Sequence, residues 1–239
     1  MISNQFIKDL SIKWQTSELN VRREYVQHLF LSYFYLHSES NKIYFKGGTA
    51  LRIIYHSPRF SEDLDFSSNT TTMSKIEDII IQTVREIERE GIKIDIKESK
   101  KTTGGYLAII NFFLHGQGID IQLEISQRKE KNIGEIATVV NDFIPPYTII
   151  ALKQEQLISG KVHALLDRQK ARDFYDLYYI LRANLLSVGK KDVLKKILVI
   201  LGKQNIQFEK ELKLFLPKSH WPIIKNFKKI LTQEIRRVI

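Results

Sequence analysis

The chain has no cysteine among its 239 residues. That single absence excludes a disulfide framework, a thiolate zinc site, an iron–sulfur cluster and a cysteine nucleophile. Glycine (11) and proline (5) are scarce, which excludes collagen-like and low-complexity chains, and 43% hydrophobic against 27% charged residues excludes a disordered one. Long apolar runs are missing as well. Met1–Asp9 carries polar residues where a signal peptide needs an unbroken apolar core, and no later run approaches the length of a membrane span. The sequence has no G-x-S-x-G elbow and no P-loop, and its six histidines fall in no metal-ligand spacing. What is left is a globular, cytoplasmic chain with room for one large domain or two small ones.

Charge is unevenly spread. Lys plus Arg is 37 against 27 acids, a net +10. Residues 186–239 hold 13 basic and 4 acidic residues, or 13 − 4 = +9, leaving 10 − 9 = +1 for residues 1–185. Lys190, Lys191, Lys195, Lys196, Lys225, Lys228, Lys229, Arg236 and Arg237 belong to this tail, which suits phosphate backbones or an acidic partner. The competing reading is a solvated helix face.

Periodicity divides the chain. Residues 20–36 read as a helix, with Val21, Tyr25, Leu29 and Phe30 at helical spacing and Ser17 near its start. Ile43-Tyr44-Phe45 reads as a strand that meets Gly47-Gly48 and then a helix from Thr49. Ser74-Lys75-Ile76-Glu77 has the capping-box pattern and opens a helix that Gly91 stops. Beyond it the period becomes two. Ile92–Ile96, Tyr106–Leu114 and Ile119–Ile125 predict an antiparallel meander, with Thr103-Gly104-Gly105 and Gly116-Gln117-Gly118 as its turns. After Pro145-Pro146 almost everything reads helical: 153–167, 171–183, 190–201 and a last helix from about Ser219. The expected plan is α+β: an α/β domain over 1–145 with a mixed, largely antiparallel sheet, then a helical domain over 146–239.

Four groups of residues carry chemistry. In a strand, Asp63 and Asp65 project from one face while Leu64 and Phe66 turn to the core, and two close carboxylates favour a hard cation such as Mg²⁺ between them. Shortly before them, Lys46-Gly47-Gly48-Thr49 opens a helix whose unobstructed N–H groups suit anionic phosphates, with a hydroxyl on Thr49 and a positive charge on Lys46. The last meander strand offers a third acid, Glu124 first and Asp120 second. Finally Lys161, Arg168 and Arg172 align if one helix runs through them, and basic groups there would neutralise charge in phosphoryl transfer. A helix break near 168–171 would undo that alignment.

Lys46-Gly47-Gly48-Thr49-Ala50-Leu51, Arg59-Phe60-Ser61-Glu62-Asp63-Leu64-Asp65-Phe66, Gln122-Leu123-Glu124-Ile125-Ser126, Lys161-Val162-His163-Ala164 and Arg172-Asp173-Phe174-Tyr175-Asp176-Leu177 resemble, in order and spacing, the motifs of AbiEii/AbiGii-type nucleotidyltransferase toxins. Those toxins belong to the polymerase β-like nucleotidyltransferase superfamily. The resemblance covers roughly residues 40–182. It implies that Gly47, Gly48 and Thr49 hold a triphosphate, with Lys46, Ser61, Arg59 and Arg168 as further nucleotide contacts. It also implies that Asp63, Asp65 and Glu124 bind Mg²⁺ or Mn²⁺, that Lys161 contacts the nucleotide, and that Asp173 fills a late acidic position while Asp176 is structural. Relatives often carry Asp where Glu124 stands.

The implied reaction moves a nucleoside monophosphate from an NTP to an acceptor, such as RNA and tRNA in particular, with release of pyrophosphate. A separately encoded antitoxin is the implied partner. Rival readings on the same fold are a kinase-like transfer of the γ-phosphate, adenylylation of a protein, or a non-catalytic module that binds nucleic acid or antitoxin.

Overall fold

The computed structural model describes residues 1–69, 71–127, 131–186 and 191–239. They form two compact units, one of 1–56 with 60–153 and one of 57–59 with 154–239. Lys190, the expected first residue of a helix, lies outside the described residues.

The first unit is a seven-stranded mixed sheet with four helices. Its strands are β1 (Ile43–Lys46), β2 (Leu64–Ser68), β3 (Lys93–Thr102), β4 (Gly105–Leu114), β5 (Gln117–Ser126), β6 (Gly134–Val139) and β7 (Tyr147–Leu152). Their order is β3-β4-β5-β2-β1-β7-β6. The β3-β4-β5 meander is antiparallel as the alternation predicted, whereas β2 runs parallel to β5 and β1 parallel to β7. The turn between β4 and β5 is His115-Gly116, with φ of 49° and 78°, the pair of positive values a two-residue hairpin turn demands. Gln117 and Gly118, expected in that turn, already belong to β5.

The helices are α1 (Asn4–Lys13), α2 (Glu18–Phe34), α3 (Gly47–Ile53) and α4 (Met73–Arg89). The Ser17 hydroxyl caps α2 by accepting from the Asn20 N–H. α2 packs on α1, α4, β5 and β7, so it is buried nearly all round and carries even Arg22, Glu24 and His28 inside. The expected capping box at Ser74 is not formed. α4 starts two residues earlier, with Thr72 rather than Ser74 as its N-cap, which puts Ser74 inside the first turn.

Burial at α2 has a measurable consequence. The His28 Nδ1 lies 2.7 Å from the Tyr147 hydroxyl, and burial, aided by the Arg52 charge, pushes the imidazole pKa down to about 3. Folded His28 is therefore neutral where the unfolded residue, near 6.5, takes a proton. Its contribution to stability is complete above pH 6.5 and declines as pH falls towards 3, by about 1.4 kcal/mol per pH unit. Between pH 6 and 4, chemical denaturation of His28→Gln is expected to show a slope shallower by about that amount. Identical slopes would mean that His28 is protonated in the fold.

The second unit is helical: α5 (Gln154–Arg168), α6 (Ala171–Arg182), α7 (Lys191–Lys203), α8 (Phe208–Leu212), α9 (Trp221–Lys225) and α10 (Phe227–Val238). Its core gathers Phe174, Tyr175, Leu177, Ile197, Leu201, Phe208, Phe227, Leu231 and Ile235, with the Phe208 and Phe227 rings 4.8 Å apart. The expected boundary at 145/146 falls short of the observed 153/154. The reason is β7: a short apolar run just past the double proline joins the sheet beside β1 rather than starting the helices. No described helix is long and apolar enough to cross a membrane.

Candidate active site

The acidic strand gains its neighbours from the sheet. β2 lies between β1 and β5, and Asp65 is the register partner of Lys46 on one side and of Glu124 on the other. The flanking partners Phe45, Phe66, Leu64, Leu123 and Ile125 are all at most 1% exposed. Alternation then puts Lys46, Asp65, Glu124 and Ser126 together on the opposite face. Lys46 reaches over β2, its Nζ 3.1 Å from the Ser126 Oγ. Of the two candidate acids, the sheet brings Glu124 beside Asp65. Asp120 sits beyond the reach of β2, paired with Lys97 at 2.7 and 2.9 Å and with the Asn111 amide, and those hydrogen bonds hold its pKa below the ordinary range.

Gly47 joins β1 to α3 at a φ of 86°. A Cβ there would lie 2.7 Å from the Asp65 Cβ and closer still to its carboxylate, so the backbone of residue 47 is packed directly against the acid. α3 is only seven residues long, and its dipole is correspondingly modest; close approach is the larger contribution of the Gly-Gly pair. Thr49 is 1% exposed and its hydroxyl donates to the Asp63 carbonyl oxygen. That hydroxyl ties α3 to the acidic strand, instead of standing free for a phosphate as the sequence suggested.

The loop before β2 is fastened by residues the motifs did not mark. The Gln27 Nε2, on α2, donates to the carbonyl oxygens of Ser61 at 3.0 Å and Glu62 at 3.1 Å, and Arg23 pairs with the Glu62 carboxylate at 3.2 Å. Ser61 thereby has a fixed backbone next to Asp63.

Asp65 and Glu124 share this face and Asp63 stands one residue before β2; carboxylates with no sulfur or imidazole are a donor set that suits a hard divalent cation. Among the described residues no three such side chains are drawn tightly enough together to hold a metal by themselves. Glu124 instead accepts from the Gln122 amide at 2.6 Å.

In the helical unit, Asp176 is 1% exposed and gripped from two sides. Arg59 makes a two-pronged pair with it at 2.7 and 3.0 Å, and the Lys161 Nζ lies 2.7 Å away. Burial would raise the Asp176 pKa, but the Arg59 and Lys161 charges prevail and hold it at about 2. Asp176, expected to be structural, is thus ion-paired with Arg59 and Lys161, both expected on the nucleotide. Asp173, expected in a late acidic position, stands at the start of α6. It is 2% exposed, accepts from the Lys170 N–H at 3.2 Å at the start of α6, and pairs with Arg168 at 2.6 Å. The break that separates Arg168 from Arg172 is present: α5 ends at Arg168, and Gln169 has a φ of 54°.

A search of curated proteins returns no match. Among solved structures, the MenT4 nucleotidyltransferase toxin of Mycobacterium tuberculosis superposes with a TM-score of 0.66 at 14% identity, covering 99% of this chain and 93% of that one. JHP933 of Helicobacter pylori superposes with a TM-score of 0.60 at 19% identity, covering 93% and 94%. At such identities these likenesses speak for the fold. The profile of the nucleotidyl transferase AbiEii toxins of type IV toxin–antitoxin systems matches residues 29–235, nearly the whole chain, and the protein belongs to that family.

Proposed function

We propose that this nucleotidyltransferase toxin transfers a nucleoside monophosphate from an NTP to an RNA acceptor, such as a tRNA, releasing pyrophosphate. The reading is carried by one observation: Asp65 stands in register with both Lys46 and Glu124, and the backbone of Gly47 is packed against its carboxylate. Gly47 and Gly48 offer first-turn N–H groups, which a helix leaves without internal partners, to phosphate oxygens, and Lys46 supplies positive charge beside them. The Ser61 backbone, held by Gln27, and the Thr49 tie to Asp63 fix where the acids stand. Asp63, Asp65 and Glu124 would hold Mg²⁺ or Mn²⁺, which when bound neutralises phosphate charge and makes the acceptor hydroxyl more acidic. A cognate antitoxin is the protein partner that a type IV toxin implies, and the cytoplasm, where NTP and RNA meet, is its place of action.

The test is incubation with total RNA, Mg²⁺ and each NTP carrying ³²P at the α or the γ position. Label from the α position is expected on RNA, and Asp65→Ala is expected to lower its rate at least about a hundredfold with the circular dichroism spectrum unchanged. Transfer of γ label would replace the reading with a kinase, and α label on protein would replace it with protein adenylylation. Undiminished transfer by Asp65→Ala would remove the assigned site.

A further inference from the structure

The helical unit carries a cleft of about 710 Å³ that the site above does not use. Ile224, Phe227 and Phe208 line it and are 2%, 1% and 7% exposed. Five lysines also line it, Lys210 and Lys213 from the α8 side and Lys225, Lys228 and Lys229 from the α9–α10 side, against one acid, Glu209. Two of the five are engaged by the fold. Lys228 donates to the carbonyl oxygens of Gly202 at 2.9 Å and Gln204 at 3.2 Å, while Lys213 lies 4.3 Å from the Trp221 ring and 3.7 Å from Glu209. Lys210, Lys225 and Lys229 are exposed and make no ion pair among the described residues. Like charges gathered round a cavity repel one another, and no ion pair among the described residues offsets these three.

We infer that this cleft holds the phosphodiester backbone of the RNA acceptor, an inference that rests on the acceptor being RNA. Lysine is a point charge on a flexible stem and suits phosphate oxygens that need no bidentate geometry. Lys210 lines the cavity from α8, Lys225 from α9 and Lys229 from α10, so uncompensated cations reach it from three helices. The aromatic side chains are sunk in the core and present no open face on which a base could stack. Recognition is therefore of backbone charge and independent of sequence. Phosphate contacts of this kind place an acceptor without selecting it, leaving selection to other parts of the protein.

The experiment is RNA binding by fluorescence anisotropy across a salt series, with full-length protein, a structured RNA of tRNA size, and neither NTP nor metal. The triple variant Lys210→Glu/Lys225→Glu/Lys229→Glu is expected to bind at least about tenfold more weakly, and the slope of log affinity against log salt is expected to become shallower by about 2–3. Lys196→Glu/Lys203→Glu/Lys218→Glu, which changes the net charge equally outside the cleft, is the control. The triple alanine variant at 210, 225 and 229 gives the same slope test if charge reversal harms folding. Equal losses in cleft and control variants would overturn the inference, as would an unchanged slope. So would displacement of RNA by polyglutamate at matched charge, which would assign the cleft to an acidic protein segment. Because binding is read without catalysis, failure of label transfer leaves this result standing, and failure here leaves the label-transfer reading intact.

Discussion

Asp176→Asn is expected to destabilise the full-length protein by about 3–5 kcal/mol, because it leaves the cations of Arg59 and Lys161 buried against a neutral amide. Arg59 is 5% exposed and the Lys161 side chain 12%, so water cannot take the place of the lost carboxylate. In a chain of this size 1 kcal/mol shifts the melting temperature by about 2–4 °C, so calorimetry should record a fall of about 6–20 °C. A drop below about 2 °C would mean that the three groups are not packed together. Replacing all of them with apolar side chains of similar volume, Arg59→Met/Lys161→Met/Asp176→Leu, is expected to recover most of the loss, since desolvating the charges is what the cluster costs. The acid side has a definite sign. The folded pKa of Asp176, about 2, is below the unfolded carboxylate value near 3.9, so its contribution is complete above about pH 4 and is lost as pH falls through 2. Wild-type protein should therefore weaken below pH 4 in a way that Asp176→Asn does not.

That cluster also marks where the sequence stops being legible. Arg59 and Asp176 are 117 residues apart in sequence, and no local pattern pairs them. Read one at a time, a lysine and an arginine in a phosphate-transfer context look like phosphate ligands; their partner is visible only after folding. Local features fared better. The Ile43–Lys46 strand, the glycine turn and the Leu64–Ser68 strand were readable because each combines a short apolar run with its own punctuation. The meander was readable because the β3 and β5 segments alternate and β4 is a mostly apolar run between glycine turns. β6 was not, because it is an edge strand with Val139 as its one buried residue. α1 went unread because Ile7 and Leu10 alone mark its inner face. The placement of Glu124 beside Asp65 depends on β2 running parallel to β5 with β3 and β4 set outside them, a topological fact that alternation within a strand does not encode.

Gly47→Ala is expected to cost as much label transfer as removing Asp65 itself. Two separate constraints meet at this residue. A φ of 86° is a conformation that alanine adopts only with strain, and the new methyl group would stand 2.7 Å from both Cβ and Cγ of Asp65. β2 is held by neighbours on both sides, so Asp65 cannot retreat as a whole. Either its carboxylate swings away or α3 shifts with its first-turn N–H groups, and a displacement of about 1 Å in such a site costs about a hundredfold in rate. Overpacking and strain together should also lower stability by about 1–3 kcal/mol. A double-mutant cycle with Asp65→Ala separates the two effects. Alanine at 65 keeps the Cβ that the new methyl meets, so much of the stability cost of Gly47→Ala should persist in the double variant. The activity losses should not add, because once the carboxylate is gone its displacement changes nothing. Full label transfer by Gly47→Ala, or activity losses that add in the double variant, would show that Gly47 does not act through Asp65.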